Sequence, residues 1–443
     1  MGVIMQAFYW NCPGNEAQDG NWWNYLSGKV AGLQATGFTA LWLPPAYKAA
    51  EAQSMGYDPY DFYDLGDFNQ KGGTKTWFGN KAELMALIAT AHAAGMQVYA
   101  DMVINHNSGG DATEVNPIDG KTRWTKFTPV SGIFPRNWPC FHPSSYESYD
   151  DMSFGDMPDL CHRDPNVYTQ VIAVAQFLIE QVGFDGFRFD FVKGYGPWMV
   201  KAIAEIRYLN KAGEGFKPFC VGECWDSDRT IDDWLSAANS FMDNPVSAFD
   251  FPLHYRLKQL CDGYGYSLSG LAQGGVINAE TPASAVTFVD NHDTTRDPQN
   301  AILNDKMLAY AFILTHEGYP CVFWLDYFNY GLARAGTPNG IAALVAIHEK
   351  YAGGATQVLC AGSDLYIMQR TGFGAQPGLA LVLNNRGDQW SGASVQTQWP
   401  NRQLVPAAWD GHDQSPPEAK CTDGSGTADL WAAPRGFAVY VPS

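Results

Sequence analysis

The sequence is short of basic residues. Lysine and arginine total 28 against 46 aspartate and glutamate, a net charge of −18. Nucleic-acid binding draws most of its affinity from Lys and Arg on phosphate. The balance therefore excludes a nucleic-acid partner and argues equally against an anionic membrane surface. Acidity of this kind keeps a chain soluble and suits a neutral or cationic ligand. No run of about 18 apolar residues is present, so no segment is expected to span a membrane. The nine cysteines include no C-x-x-C pair, which excludes a zinc ribbon or a thioredoxin-type motif. H-E-x-x-H is begun twice and completed neither time, with Ala352 after His348-Glu349 and Pro320 after His316-Glu317. No P-loop or dinucleotide fingerprint occurs. Gly2–Trp10 lacks the basic n-region of a signal peptide and reads as a strand. The chain is thus expected to be either cytoplasmic or a mature form without its leader.

What is present is alternation. At 443 residues the chain is long enough for two or three domains. Short apolar runs near residues 3–8, 39–43, 97–103, 186–191, 218–222, 247–251, 285–289 and 320–325 read as buried strands. Segments of 3.6-residue periodicity separate them. Asn80 with Glu83 forms a capping-box signature ahead of Leu84, Leu87, Ile88 and Ala91, and Gly95 stops that helix. Asp164-Pro165 opens a second helix, and Gly183 ends it. A last helix is expected near 340–352. Eight strand–helix units predict an α/β fold, a (β/α)8 TIM barrel. Residues 107–162 interrupt the rhythm after strand three as a loop-rich inserted domain. After about residue 354 the helices stop, and short β-rich runs predict a C-terminal antiparallel β-sandwich domain. The expected division is a barrel of residues 1–106 and 163–354, an insertion of 107–162 and a C-terminal domain of 355–443. Cys140 and Cys161 bracket one segment and could pair, as could Cys220 or Cys224 with Cys261; buried free thiols are the alternative.

Four stretches carry the chemistry: Asp101–His106 (D-M-V-I-N-H), Gly186–Gly194 (G-F-R-F-D-F-V-K-G), Gly222–Trp225 (G-E-C-W) and Phe288–Asp293 (F-V-D-N-H-D). Each is an apolar run ending in acidic or imidazole groups, at the strand ends where barrels build their sites. Asp190, Glu223 and Asp293 are expected to converge there. Glycoside hydrolysis needs two carboxyls that titrate apart, one a proton donor and one a nucleophile or base. Arg188, two residues before Asp190, shares its strand face and would keep it ionised. Glu223, between Val221 and Trp225, would be partly desolvated and so suited to donate a proton. Among the 15 tryptophans, Trp10, Trp22, Trp23, Trp138 and Trp225 are candidates for packing sugar rings, one or two of them in the cleft.

These four stretches resemble the four signature regions of the α-amylase family of glycoside hydrolases, in order and with each catalytic position filled. Gly186–Tyr195 is most similar to plant α-amylases and bacterial maltooligosaccharide-forming amylases. The resemblance implies Asp190 as nucleophile, Glu223 as acid/base and Asp293 as the carboxylate that stabilises the transition state. It implies that Arg188 orients Asp190, that His106 and His292 bind the sugar, that Tyr57 is a platform beneath it, and that Lys193 reaches the leaving-group side; Trp225 is expected among the substrate-binding residues. It implies Ca2+ as cofactor, held by Asn105, the Gly194 carbonyl, Asp159 and one of Asp150 or Asp151, tying the insertion to the barrel. The implied activity is endo-hydrolysis of internal α-1,4-glucosidic bonds in starch or related glucans, with retention. An exo-acting maltooligosaccharide-forming enzyme, a transglycosylase and a non-catalytic glucan-binding barrel are the alternatives. A polymer-degrading enzyme of this type is expected to be secreted and to work as a monomer.

Overall fold

The computed structural model describes residues 2–17, 21–149, 152–279 and 281–443. Eight parallel strands are β1 (Ile4–Gln6), β2 (Ala40–Trp42), β3 (Gln97–Met102), β4 (Gly186–Phe189), β5 (Phe219–Gly222), β6 (Ser247–Phe249), β7 (Ala285–Phe288) and β8 (Tyr319–Phe323). They close into a barrel in the order β1-β8-β7-β6-β5-β4-β3-β2. Every one of the eight apolar runs in the sequence became one of these strands. Parallel strands buried on both faces need near-continuous apolar runs, and β4 is buried at all four positions, Arg188 included.

The local signals for helices act as read. Asn80 and Glu83 make a reciprocal capping box at the start of helix Lys81–Ala93. Asp164 accepts from Asn166 N–H at the start of helix Pro165–Gln176. The chain then continues as a wider π-helical turn, Phe177–Val182, which stops at Gly183 with φ of 113°. The last helix is Ile341–Tyr351.

The chain forms two compact units. One holds Met1–Tyr9, Ala35–Thr39 and Asp250–Ser443; the other holds Trp10–Gln34 and Ala40–Phe249. In the second unit β3 pairs with β4 so that Asp101 lies beside Arg188, and β5 pairs with β4 so that Val221 lies on its other side. The segment after β3 carries an antiparallel hairpin, Ala112–Val115 with Thr122–Lys126, and returns beside β3's end, with Leu160 N–H donating to Asn105 O at 2.9 Å. In the first unit the C-terminal region is wholly antiparallel. Its six-stranded sheet runs Thr356–Ala361, Leu365–Arg370, Ala380–Asn384, Gly436–Pro442, Gln403–Asp410, Lys420–Cys421, with a separate ribbon of Ser391–Gln396 and Thr427–Ala432. Ile367, Val382, Leu404 and Tyr440 of the sheet share one core with Val395 and Leu430 of the ribbon. It is a sandwich with one full layer and one narrow one.

All nine cysteines are free, so the proposed pairings do not form. Cys140 and Cys161 are backbone neighbours, with Cys161 N–H donating to Cys140 O at 2.9 Å, yet Cys161 Sγ instead accepts from the Ser144 hydroxyl at 3.2 Å. Burial pushes the Cys220 and Cys261 thiols up and Cys224 to about 12, so these three stay protonated and inert.

Candidate active site

Arg188 is the centre of the site in the second unit. Its side chain is 2% exposed, and one terminal nitrogen meets Asp101 at 2.8 Å and Asp190 at 2.7 Å. The other terminal nitrogen meets Glu223 at 2.8 Å. The expected partner Asp190 is present, but the guanidinium spreads over two further carboxylates. The two residues assigned to the working pair thus sit on opposite arms of a single cation. Phe191, in the left-handed region at φ 44°, turns the chain after β4 so that its N–H donates to Glu223 at 3.0 Å. Asp190 N–H donates to Met102 O, and Glu223 N–H to Phe189 O, extending the barrel ladder one residue past the strands.

Asp101 stands behind this pair. Its second oxygen accepts from Trp42 Nε1 at 3.1 Å and from the Tyr57 hydroxyl at 2.8 Å. Burial pushes the Asp101 carboxyl up to about 6, against the pull of Arg188. Three carboxylates around one guanidinium leave an excess of negative charge, and the nearby Glu223 adds to burial in favouring the protonated form of Asp101. The surrounding acids hold Arg188 itself charged, well above its ordinary range. Tyr47 and Tyr195 complete the floor. Tyr47 accepts from Val103 N–H at 2.7 Å, and Tyr195 donates to Asp190 O at 3.3 Å. Burial and the adjacent acids push both hydroxyls up, so both remain neutral.

Trp42, Tyr47 and the ligating role of Asp101 are the residues that sequence reasoning missed. Asp101 was visible as the first letter of D-M-V-I-N-H. Its pairing with Arg188 follows from the β3–β4 register, which single-strand patterns do not contain.

The platform residue Tyr57 is half-buried, stacks on Trp10 at 5.9 Å between ring centroids, and lies 5.8 Å from the Arg188 guanidinium. Trp10, Trp138 and Trp225 are half-buried, whereas Trp22 and Trp23 are completely buried in the short helix Trp22–Ser27. Those two are core residues and not cleft candidates. Lys193 is anchored by the Trp225 carbonyl at 2.7 Å and by Asp226 at 3.2 Å, which joins the turn after β4 to the turn after β5.

His106 is fully buried. A carbonyl can only accept, so the 2.9 Å bond to Tyr57 O requires the proton on Nε2. Nδ1 then accepts from the Asn105 amide at 3.3 Å. Phe154 stacks on the imidazole at 4.8 Å. In this arrangement His106 positions Tyr57 and keeps no nitrogen for a sugar, and burial holds it neutral.

That tautomer also orients Asn105. With its nitrogen spent on His106, its oxygen points away, buried and with no hydrogen-bond partner among the described residues. A Cβ on Gly194 would collide with that oxygen, so only glycine fits opposite it. Asp159 is buried and lies across a short antiparallel bridge from His106. An orphaned amide oxygen, a glycine cradle and a buried carboxylate suit a hard cation that takes oxygen ligands. Asp150 and Asp151 lie outside the described residues.

In the first unit, His292 and Asp293 follow β7. His292 is fully buried; its Nδ1 meets Gln6 Nε2 at 3.0 Å, and its Nε2 faces Asp293 at 3.3 Å. The Gln6 amide leaves the proton on Nε2, toward the carboxylate. Asp293 N–H donates to Asn291 Oδ1 at 2.8 Å, and Arg296 lies 3.2 Å from its carboxylate. Gln6, on β1, is another residue with no sequence signal of its role.

Comparison with known proteins agrees with this chemistry. Residues 13–326 match the family described as alpha amylase, catalytic domain. An alpha-amylase of Geobacillus stearothermophilus is 34% identical over 86% of this chain and 76% of that protein. A glucan 1,4-alpha-maltohexaosidase of Bacillus sp. (strain 707) is 33% identical over 88% of this chain and 84% of that protein. The crystal structure of an alpha-amylase from Geobacillus thermoleovorans complexed with acarbose has the same fold, with a TM-score of 0.69 at 20% identity over 100% of this chain and 98% of that one. With the family matched across most of its length, the chain belongs to the α-amylase family of glycoside hydrolases.

Proposed function

We propose that the protein is an endo-acting α-amylase that hydrolyses internal α-1,4-glucosidic bonds of starch with retention of configuration. The observation that carries this reading is the sharing of Arg188 between Asp190 and Glu223, at 2.7 and 2.8 Å. Retention needs carboxyls about 5–5.5 Å apart, close enough for one to attack while the other protonates. Two carboxylates on the two arms of one guanidinium suit that spacing.

In this reading Asp190, kept ionised by Arg188, attacks the anomeric carbon as the glycosidic bond breaks. Glu223 gives its proton to the departing oxygen and afterwards takes one from the water that releases the sugar. Glu223 is bonded to Arg188 and to Phe191 N–H, so its proton-donor form requires substrate to displace or weaken those bonds. Asp101 stays behind Arg188 and fixes the guanidinium's orientation. Asp293 grips sugar hydroxyls, with His292 beside it, and Tyr57 and Trp10 offer aromatic faces to the ring. Lys193 and Trp225 border the leaving-group side.

Ca2+ would be held by Asn105 Oδ1, Asp159 and the Gly194 carbonyl, with a further ligand from Asp150 or Asp151. When bound it supplies positive charge that ties the segment after β3 to the barrel strand. No helix among the described residues is long and apolar enough to cross a membrane. We read the enzyme as secreted, on the polymer-degrading chemistry of its site.

The test is incubation with amylose and sizing of the early products. A ladder of lengths supports endo action; one short product supports the exo-acting alternative. Absence of any cleavage by the calcium-loaded chain sinks both.

A further inference from the structure

Gln6 is completely buried on β1, and its amide oxygen has no hydrogen-bond partner among the described residues. A buried polar atom in that state is costly. Its neighbours Ile4 and Met5 are apolar and buried, so packing alone would be served by another apolar residue. The amide nitrogen is the part in use. It lies 3.0 Å from Nδ1 of His292, which follows β7. β8 stands between β1 and β7 in the barrel, so the Gln6 side chain reaches past a strand to make this contact. Phe8, two residues further on, brings its ring to 4.9 Å from the same imidazole.

An amide N–H can only donate, so Nδ1 accepts and the ring proton sits on Nε2. Turning the amide over would put its oxygen on Nδ1 and strand two buried N–H groups, which proteins tolerate less readily than an under-used carbonyl. The far side of the ring agrees. Nε2 faces Asp293 at 3.3 Å. A lone pair there would meet the carboxylate's lone pairs, whereas an N–H meets them favourably. The imidazole is thus a donor beside an acceptor, and neighbouring hydroxyls of a sugar ring can accept from the one and donate to the other. The turn itself is held separately. Asp293 N–H and Thr294 N–H both donate to Asn291 Oδ1 at 2.8 Å, and the Thr294 hydroxyl donates to Asp290 at 2.8 Å. Those bonds set the backbone and do not reach the imidazole; the Gln6 amide does.

We propose that Gln6 is a positioning residue: it sets the Nε2–H tautomer of His292 and so makes His292 and Asp293 a donor–acceptor clamp for the hydroxyls of the glucose ring being cleaved. That role rests on His292 and Asp293 binding the sugar, as proposed for the amylase, and adds the residue that makes them chemically complementary. A neutral amide is required. A carboxylate in its place would accept from Nδ1–H and turn the ring's lone pair toward Asp293. An apolar side chain would leave the tautomer unset.

The experiment uses the full calcium-loaded chain labelled with 15N-histidine. Imidazole nitrogen shifts are read without substrate at neutral pH, and His292→Gln identifies the His292 signals among the nine histidines. The parent should show Nε2 protonated and Nδ1 unprotonated, which tests the tautomer without relying on any variant of Gln6. Gln6→Met keeps the length and removes the donor. It should melt at least as high as the parent, because the unpaired oxygen leaves the core, while the His292 signals move to a tautomer mixture. Its kcat on amylose should fall about 10–100-fold, the cost seen where a metal-binding histidine loses its hydrogen-bond partner. KM should change little, because hydrogen bonds to the reacting sugar strengthen in the transition state. Gln6→Glu should move the proton to Nδ1 and lower kcat at least as far. A protonated Nδ1 in the parent overturns the proposal, as does a Gln6→Met that melts lower yet keeps normal kcat, or one whose tautomer changes with no loss of kcat; in each case cleavage by the parent leaves the amylase reading standing. No cleavage by the parent sinks that reading and this proposal with it, and the substrate-free tautomer tells the two failures apart.

Discussion

Two buried cations in this protein invite comparison. Arg188 faces three carboxylates, Asp101, Asp190 and Glu223. Lys306, in the other compact unit, faces two, Asp290 at 2.7 Å and Asp326 at 2.5 Å. Around Lys306 each acid has further donors: the Thr294 hydroxyl and the Ile302 N–H on Asp290, and the Tyr310 hydroxyl on Asp326 at 2.6 Å. Those acids are 1% and 0% exposed. Around Arg188 the acids outnumber the cation by two, and Asp190 and Glu223 retain 6% and 8% exposure. A buried cluster satisfied by neighbours holds a fold together. A cluster with surplus acid whose carboxylates keep a little exposure holds reactive groups ready, at a cost in stability. The same ingredients serve structure in one place and chemistry in the other because of stoichiometry and access.

The sharpest break of this comparison is catalytic. Asp190→Asn and Glu223→Gln should each lower turnover on starch by roughly three to six orders of magnitude, as loss of groups acting as a unit does elsewhere, while the melting curve stays within a few degrees. Near-normal turnover by either pure variant would refute their roles. Next are the cations themselves. Removing one partner of a buried ion pair costs about 3–5 kcal/mol. Lys306→Met should lose about that much in denaturant unfolding yet keep the turnover of the remaining folded enzyme. Arg188→Met should lose turnover even where it is folded. Equal effects on activity from both variants would erase the distinction.

Acidification sharpens it further. Burial holds His254 down to about 4 and His316 down to about 3. The unfolded chain takes up these protons near pH 6.5 and the folded chain does not, so stability falls as pH drops from 6.5 toward 4 and 3. At about 1.4 kcal/mol per pH unit, His254 alone accounts for about 3 kcal/mol. Asp101 works in the opposite direction. Raised from 3.8 to about 6, it holds its proton in the folded state, and its contribution to stability is lost as pH rises through that window. His254→Gln should flatten the acid limb in pH-dependent unfolding, and an unchanged limb would reject the assignment. The smallest expected effect is metal removal. Excess chelator should lower the melting midpoint by the few degrees that correspond to about 2–3 kcal/mol of binding linkage. Asn105→Ala should abolish that response.

Much of this was legible in the residues. The eight apolar runs, the Asn80–Glu83 box and the Asp164-Pro165 start are local signals, and each acts within one or two turns of chain. The motif acids were legible for the same reason, since each ends a recognisable strand. What Arg188 touches was not. Spacing within β4 links it to Asp190, but Asp101 and Glu223 arrive from β3 and β5 through the barrel register. Trp22 and Trp23 stand among the five cleft candidates of the sequence because composition cannot tell which face of a short helix is buried. Cys140 and Cys161 read as a possible pair because spacing does not report where a sulfur points. His106 read as a sugar ligand, and its commitment to Tyr57 and Asn105 is a matter of folded neighbours.

Sequence alone therefore determined the barrel, its strand-end acids and the family to which they belong. Periodicity, caps and short motifs are short-range physics that a linear chain carries within itself. Tertiary structure alone decided that one guanidinium holds both working carboxylates, that burial pushes the Asp101 carboxyl up, and that imidazole, carboxylate and thiol gather at His142. Charge and coordination depend on distances of a few ångströms between residues far apart in the chain, and only closure of the fold sets those distances.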